Sequence, residues 1–378
     1  MKFHKTLITK QLNFNTLLKT NNSLFFIAPY FISEDDVKGA IGHRICETVK
    51  ILQQGEIDII WYAFNDNQIK VAKEEFQVNH FSLIWHILKY RLLKKQRIIL
   101  WFCYLYTDSI LILIFMPILI LLKIQIFTDY IDLPLIKNIE QLTHRNYYYY
   151  KLYDILNRHY NFSIFNSYNV YKYYLNHNHY IEHKCLYFPL TTSTFYKRNP
   201  RIVKTKFTLG FIGSEVAIRE LLNIIDIINN IFPQQEDIPL RLVIISTIKY
   251  QNDLAKYDWI DLIPVTTYNN LHNIMSEIDL GIIPYSKRWD KILPHKFICY
   301  ISHSIPVLST NNKEISYFIS KYNCVIIYNN TNELKEIIEN IINNKYDLTL
   351  LSKNSYQCSV TYFNTIKYKN KLLEFITQ

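Results

Sequence analysis

Short runs of apolar, β-branched and aromatic residues recur along the chain, and between them lie longer stretches whose apolar residues return every third or fourth position. The first run covers 24–28, and after a proline-containing loop a helix-compatible stretch opens at Gly39 and runs towards Gln54, followed by a second run over 57–64. A strand, loop, helix and strand of this size make one βαβ unit, the building block of a parallel sheet. Segments 162–167 and 185–189 read as later strands of the same sheet, which ends near Arg201. In the second half, runs at 207–212, 240–245, 260–265, 280–283, 305–308 and 325–328 alternate with helical stretches such as 216–231 and 332–342, and 362–378 reads as a closing helix. That alternation predicts a doubly wound α/β domain.

Segment 98–127 departs from the rhythm because 109–122 holds almost nothing polar. A membrane span needs about 20 predominantly apolar residues, and Asp108, Pro117 and Lys123 shorten the clean run. The preferred reading is a strand over 110–115, a short buried helix and another strand over 124–127, since strands buried on both faces have this composition.

The length of 378 residues leaves room for two domains with cores of their own. Division falls into a tail, 1–23, a first domain, 24–202, and a second, 203–378. The tail lacks the continuous apolar core of a signal peptide, so secretion is not expected. Cys46, Cys103, Cys185, Cys299, Cys324 and Cys358 show neither paired metal-ligand spacing nor the density of a disulfide scaffold, which fits a reducing cytosol. A net charge of +10 attracts anions, whether phosphate, nucleic acid or acidic lipid.

Candidate chemistry concentrates in 279–309. The strand 280–283 ends at Pro284-Tyr285, a loop with Lys287, Arg288 and Lys291 follows, and a helix then carries Lys296, Phe297, Cys299 and Tyr300 before Pro306-Val307. Open α/β sheets bind ligands at the carboxyl ends of their strands, and a cationic loop there suits a phosphorylated one. Upstream, Gly210, Gly213 and Ser214 make a strand, a tight turn and a helix start, whose N–H groups and dipole favour an anion; such glycines also serve in ordinary turns. Asp129 and Asp132 either cap a helix or hold a metal. His177, His179 and His183 lack companion ligands and are expected at the surface. There is no P-loop and no nucleophile elbow, and the tyrosines do not group as in an RNA-recognition motif, so nucleic acid is not an expected partner.

The run of Asp279, Pro284, Lys296-Phe297-x-Cys299-Tyr300 and Pro306-Val307 resembles the donor domain of the family 4-like GT-B glycosyltransferases, over about residues 205–345. The resemblance implies two Rossmann-like, doubly wound α/β domains facing across a cleft, with the last helix packing back on the first domain. It implies transfer of a sugar from a nucleotide-activated donor to a polysaccharide or lipid-linked acceptor, of the retaining, hexosyltransferase-like kind, in the making of a bacterial surface polysaccharide, capsule or lipopolysaccharide. Lys296 is then the cation that neutralises the leaving diphosphate. Gly213, Ser214, Lys291, Cys299, Asn311, Asn312 and Glu314 line the nucleotide-sugar site, and Gly42, Arg44, Asp129 and Asp132, with Gly39, lie on the acceptor side of the cleft. No cofactor or obligatory metal is expected. The expected location is the cytoplasm, with peripheral contact on an anionic membrane at the inner face of the plasma membrane. Two departures, Cys299 in place of Glu or Gln and Ser304 in place of Gly, support the alternative of a catalytically inactive GT-B-like binding or accessory protein.

Overall fold

The computed structural model describes residues 22–28, 39–55, 58–63, 68–71, 74–77, 85, 87–88, 91–92, 97–103, 117–130, 155, 158–177, 180–198, 206–213, 215–233, 238–246, 254, 256–264, 268–284 and 292–378. They build two sheets. The first contains β1 (Asn22–Ala28), β2 (Asp58–Ala63), β3 (Gln68–Val71), β4 (Glu74–Gln77), β5 (Arg97–Cys103), β6 (Gln125–Tyr130), β7 (Phe162–Phe165) and β8 (Cys185–Tyr187) in the order β4-β3-β2-β1-β5-β6-β7-β8. Pairing is parallel from β2 to β8, while β3 and β4 are antiparallel additions at one edge. Sequence patterning misses those two because Gln-Ile-Lys-Val and Glu-Glu-Phe-Gln are too polar to read as strands. Charged residues are what an edge strand carries to deter further pairing.

The second sheet is wholly parallel: β9 (Phe207–Ile212), β10 (Leu240–Ser246), β11 (Ile260–Pro264), β12 (Leu280–Ile283), β13 (Val307–Thr310) and β14 (Val325–Tyr328), in the order β11-β10-β9-β12-β13-β14. This is the 3-2-1-4-5-6 order of the doubly wound dinucleotide-binding fold. Its strands alternate strictly: Leu240, Leu242 and Ile244 of β10 enter one core, and Val243 and Ile245 enter the core on the opposite face. Burial on both faces explains why the strands read as continuous apolar runs.

Helices α1 (Gly39–Gln53) and α2 (Tyr168–His177) belong to the first sheet, and α3 (Glu215–Ile231), α4 (Tyr268–Glu277), α5 (His295–Ser302), α6 (Lys313–Tyr322) and α7 (Thr331–Ile342) alternate with strands of the second. The chain closes with α8 (Leu348–Tyr362) and α9 (Thr365–Thr377). Sequence patterning did not predict α8, and it merged Tyr362 into the closing helix. The separation comes at Phe363 and Asn364, where the Asn364 side chain caps α9 by accepting from the Ile366 N–H.

Helix α9 leaves the second sheet and enters the first core. Tyr368, Leu372, Phe375 and Ile376 are buried with Leu24, Ile45, Val49, Ile99, Trp101 and Phe127. Phe375 meets Phe127 and Phe162 edge-on, with ring centroids 5.6 and 5.5 Å apart. Arg97 of β5 donates to the carbonyls of Ile376 and Thr377, two of the last-turn acceptors of a helix end.

Of the apolar segment, 97–103 forms β5, Pro117–Leu121 is a helical turn, and β6 starts at Gln125; the strand expected over 110–115 lies outside the described residues. Among the described residues no helix is long and apolar enough to cross a membrane.

Candidate functional site

The order of the second sheet reverses between β9 and β12, and ligands of open α/β sheets sit outside such a switch point. Here the two strands pair through Gly210 and Gly281. Both glycines exist for close approach. A Cβ on Gly281 would lie 2.5 Å from the Tyr300 ring, and one on Gly210 would overlap the Ile278 side chain. The space at Gly281 lets α5 settle against the sheet, where the Tyr300 hydroxyl donates to the Gly210 carbonyl at 2.9 Å and accepts from the Ile212 N–H at 3.0 Å. Tyr300 therefore ties the last turn of α5 to β9.

That tie brings Lys296 to Gly213 across 83 positions of sequence. A Cβ on Gly213 would stand 3.1 Å from the Lys296 Nζ, and the ammonium lies 4.3 Å from the centre of the Phe211 ring. Gly213 is held by its N–H to the Ile245 carbonyl, 3.1 Å, and by the Ser246 hydroxyl on its own carbonyl, 2.6 Å. Lys296 is only 7% exposed. Burial lowers its pKa to about 7, against the smaller opposing effects of Glu220 and Cys299. A buried ammonium at the turn closing the first strand is suited to an anionic ligand, since the ligand restores the charge balance that burial withheld.

Other predicted residues have structural partners. Asn312 caps α6, accepting from the N–H groups of Glu314 and Ile315, and donates to the Ile292 carbonyl. Asn311 is exposed and bonds Asn329 and Ser316. Glu314, expected against the donor, instead reaches the first domain. Its carboxylate accepts from the Ser167 hydroxyl and, at 2.5 Å, from the Asn169 N–H, capping α2 from outside. Burial raises its pKa and these bonds oppose the rise.

Cys299 is buried, with its thiol pushed up to about 12 chiefly by burial, and its sulfur lies 3.6 Å from the His295 Nδ1. Ser304 occupies a left-handed backbone conformation, φ 58°, which explains why the resembled family places glycine there. The hydroxyl offsets the strain by donating to the Tyr196 carbonyl at 2.7 Å.

On the first domain, Arg44 and Asp129 face each other. They form a buried bidentate ion pair, at 3.0 and 3.1 Å, with Arg44 also donating to the Pro189 carbonyl and lying over the Phe188 ring. Asp129 stands at the end of β6 and Arg44 on α1, so the pair pins helix to sheet. Gly42 is buried one turn from the start of α1, which opens at Gly39. Asp279 is likewise structural, accepting from Thr208 N–H and pairing with Arg198. Ser214, Asp132, Lys287, Arg288 and Lys291 lie outside the described residues. His183 is exposed, as expected; His179 lies outside the described residues, and His177 ends α2.

Sequence reasoning missed the seam between the domains. His43 of α1 and His295 of α5 stand with ring centroids 5.0 Å apart, and His43 Nε2 lies 2.7 Å from the Thr191 carbonyl. Desolvation lowers the pKa of both. Glu47, one turn beyond His43, accepts from Ser193 and from Thr365 at the start of α9. A His43, Glu47 and Lys50 stripe at helical spacing along α1 was the available signal. Among the described residues no group of three or more His, Cys, Asp or Glu side chains could hold a metal ion.

The two-sheet architecture as a whole matches several solved structures. The chain superposes on WaaG, a glycosyltransferase involved in lipopolysaccharide biosynthesis, with TM-score 0.62 at 13% identity, covering 94% of this chain and 99% of that one. The fold is GT-B. The same GT-B arrangement relates the chain to sucrose-phosphate synthase from Thermosynechococcus elongatus, TM-score 0.67 at 10% identity over 94% and 98% of the two chains. It also matches Anabaena HepE in complex with UDP, TM-score 0.62 at 9% identity over 94% and 99%. No protein-family model and no curated protein matches the sequence.

Proposed function

We propose that the protein is a glycosyltransferase that takes a sugar from a nucleoside diphosphate sugar and passes it, with retention, to a glycan or lipid-linked acceptor of a surface polysaccharide. The observation that carries the reading is the Lys296 ammonium at the Gly213 turn, where β9 ends at the switch point. Breaking a sugar–diphosphate bond develops charge on the leaving group, and a preorganised cation in a water-poor site stabilises that charge. Lys296 can do so as a point charge without a metal, and the N–H groups that open α3 add the dipole of a helix start. WaaG is a glycosyltransferase of lipopolysaccharide biosynthesis and HepE binds UDP and UDP-glucose, which supports the choice of donor and product class. The net charge of +10 supports peripheral attachment to an anionic membrane at the cytoplasmic face, where lipid-linked acceptors reside.

Calorimetry with UDP-, GDP-, ADP- and CMP-sugars, in buffer containing EDTA and then with magnesium, tests the proposal. Binding and turnover of one donor in EDTA is expected, with loss of turnover in Lys296→Ala while the variant stays folded, as judged by a cooperative thermal transition. Binding that appears only with magnesium overturns the metal-free role of Lys296. The accessory-protein reading draws on Cys299, whose weakly bonding thiol stands where ribose recognition would call for a carboxylate or amide. Nucleotide binding without turnover of any donor would favour it.

A further inference from the structure

Where Glu314 crosses to Ser167 and Asn169, tyrosine rings continue the contact outward to the surface. Tyr168, at the start of α2, is 45% exposed, and Tyr317, on α6 in the other domain, is 48% exposed. Two rings join them. Tyr168 meets Tyr187 edge-on at 5.5 Å, the Tyr187 and Tyr362 hydroxyls are 3.2 Å apart, and Tyr362 lies 5.9 Å from Tyr317. The result is a band of four rings bridging both domains.

Cations flank three of the four rings. Lys172 Nζ lies 5.7 Å from the Tyr168 ring, Lys367 Nζ 5.6 Å from Tyr362 and Lys321 Nζ 5.7 Å from Tyr317. Lys321 and Lys313 stand one turn to either side of Tyr317 on the exposed face of α6. Burial, with Glu182 adding to it, raises the pKa of Tyr171 at the α2 end, and the buried Glu314 carboxylate lies near the inner rings Tyr187 and Tyr362. Exposed aromatic faces accept the C–H face of a pyranose ring, phenol hydroxyls bond its hydroxyls, and lysines near the rings hold an anionic substituent while their stems cover apolar surface.

We propose that this band binds an anionic glycan, the growing acceptor chain of the glycosyltransferase reading on which the inference rests. Positive charge set at intervals between aromatic rings complements a polymer that carries carboxylates on its sugars. A nucleic acid would offer its phosphates to the same lysines, and the test below separates the two. The band spans both domains, so a bound chain would touch both together.

The test uses the full chain without nucleotide, titrated with short polygalacturonate oligomers and, in parallel, with neutral maltodextrin of equal length. Expected is binding of the anionic oligomer that weakens with salt and falls about fivefold in Tyr317→Ala and in Lys321→Ala, a loss on the scale of one exposed ring or cation contact. Both variants should keep the wild-type melting temperature and nucleotide affinity. Undiminished binding in both variants, equal binding of maltodextrin, or tighter binding of single-stranded RNA through the same residues overturns the proposal. Because glycan affinity is read without donor, failure here leaves nucleotide binding and turnover as the separate measure of the transferase reading.

Discussion

Lys296 shows how a single side chain takes its chemistry from its depth. In the unfolded chain its ammonium titrates near the ordinary lysine value, whereas in the folded chain burial brings it to about 7. Between those values the unfolded state holds a proton that the folded state has lost, so this group makes stability rise with pH across the window. Its effect on ligands has the opposite sign. A nucleoside diphosphate needs the ammonium charged, and above about pH 7 binding must first recover the proton, so affinity in EDTA should fall by up to about tenfold per pH unit between about pH 7 and 9. Calorimetry of wild type against Lys296→Met checks it. The variant should bind more weakly and show no comparable fall. Arg44 presents the contrary case: its charge is buried too, but the bidentate bond to Asp129 compensates it.

At the scale of elements, α9 is the part whose position is least local. It follows α8 after the short break at Phe363 and Asn364, yet its apolar face completes the core beneath β1, β5 and β6. Phe375 sits at the centre of that contact, against Phe127 and Phe162. Phe375→Ala should therefore destabilise the protein by about 3–5 kcal/mol, the usual cost of truncating a buried phenylalanine. Chemical denaturation should show the loss first in the transition that exposes Trp101, which is buried in the same core. If a Trp101 fluorescence transition is unmoved, α9 contributes nothing to the first core.

On the scale of the whole molecule, polar contacts couple the two domains in addition to the apolar face that α9 buries in the first core. Glu314 on Ser167 and Asn169, His43 beside His295, and Glu47 on Thr365 all cross from one sheet's elements to the other's or to the returning helix. Glu314→Ala removes the carboxylate that caps α2 and should weaken the coupling by about 1.5–3 kcal/mol, the scale of a hydrogen bond to a charged group. Small-angle scattering of the ligand-free protein should show a larger radius of gyration than wild type; an unchanged radius would mean that the remaining contacts suffice to hold the domains together.

The parallel strands of both halves, the helix carrying Lys296 and the Gly213 turn were legible in the sequence, because strands buried on both faces must be apolar and a tight turn leaves its glycine visible. Polar strands β3 and β4 were not, since their sequences lack an apolar run and β4 is an edge that charge protects from further pairing, and α8 was hidden by an even spread of apolar residues around its axis. What only the tertiary structure decided is partnership. The sequence could mark Glu314, Arg44, Asp129 and Asn312 as polar residues beside a ligand-binding sheet edge; it could not say that Glu314 caps a helix of the other domain, that Arg44 meets Asp129, or that Asn312 is occupied at its own helix start. Periodicity reports whether a position is buried, which is a property of one segment. A hydrogen bond or an ion pair joins two segments far apart in the chain, and its distance is set only when both sheets have packed.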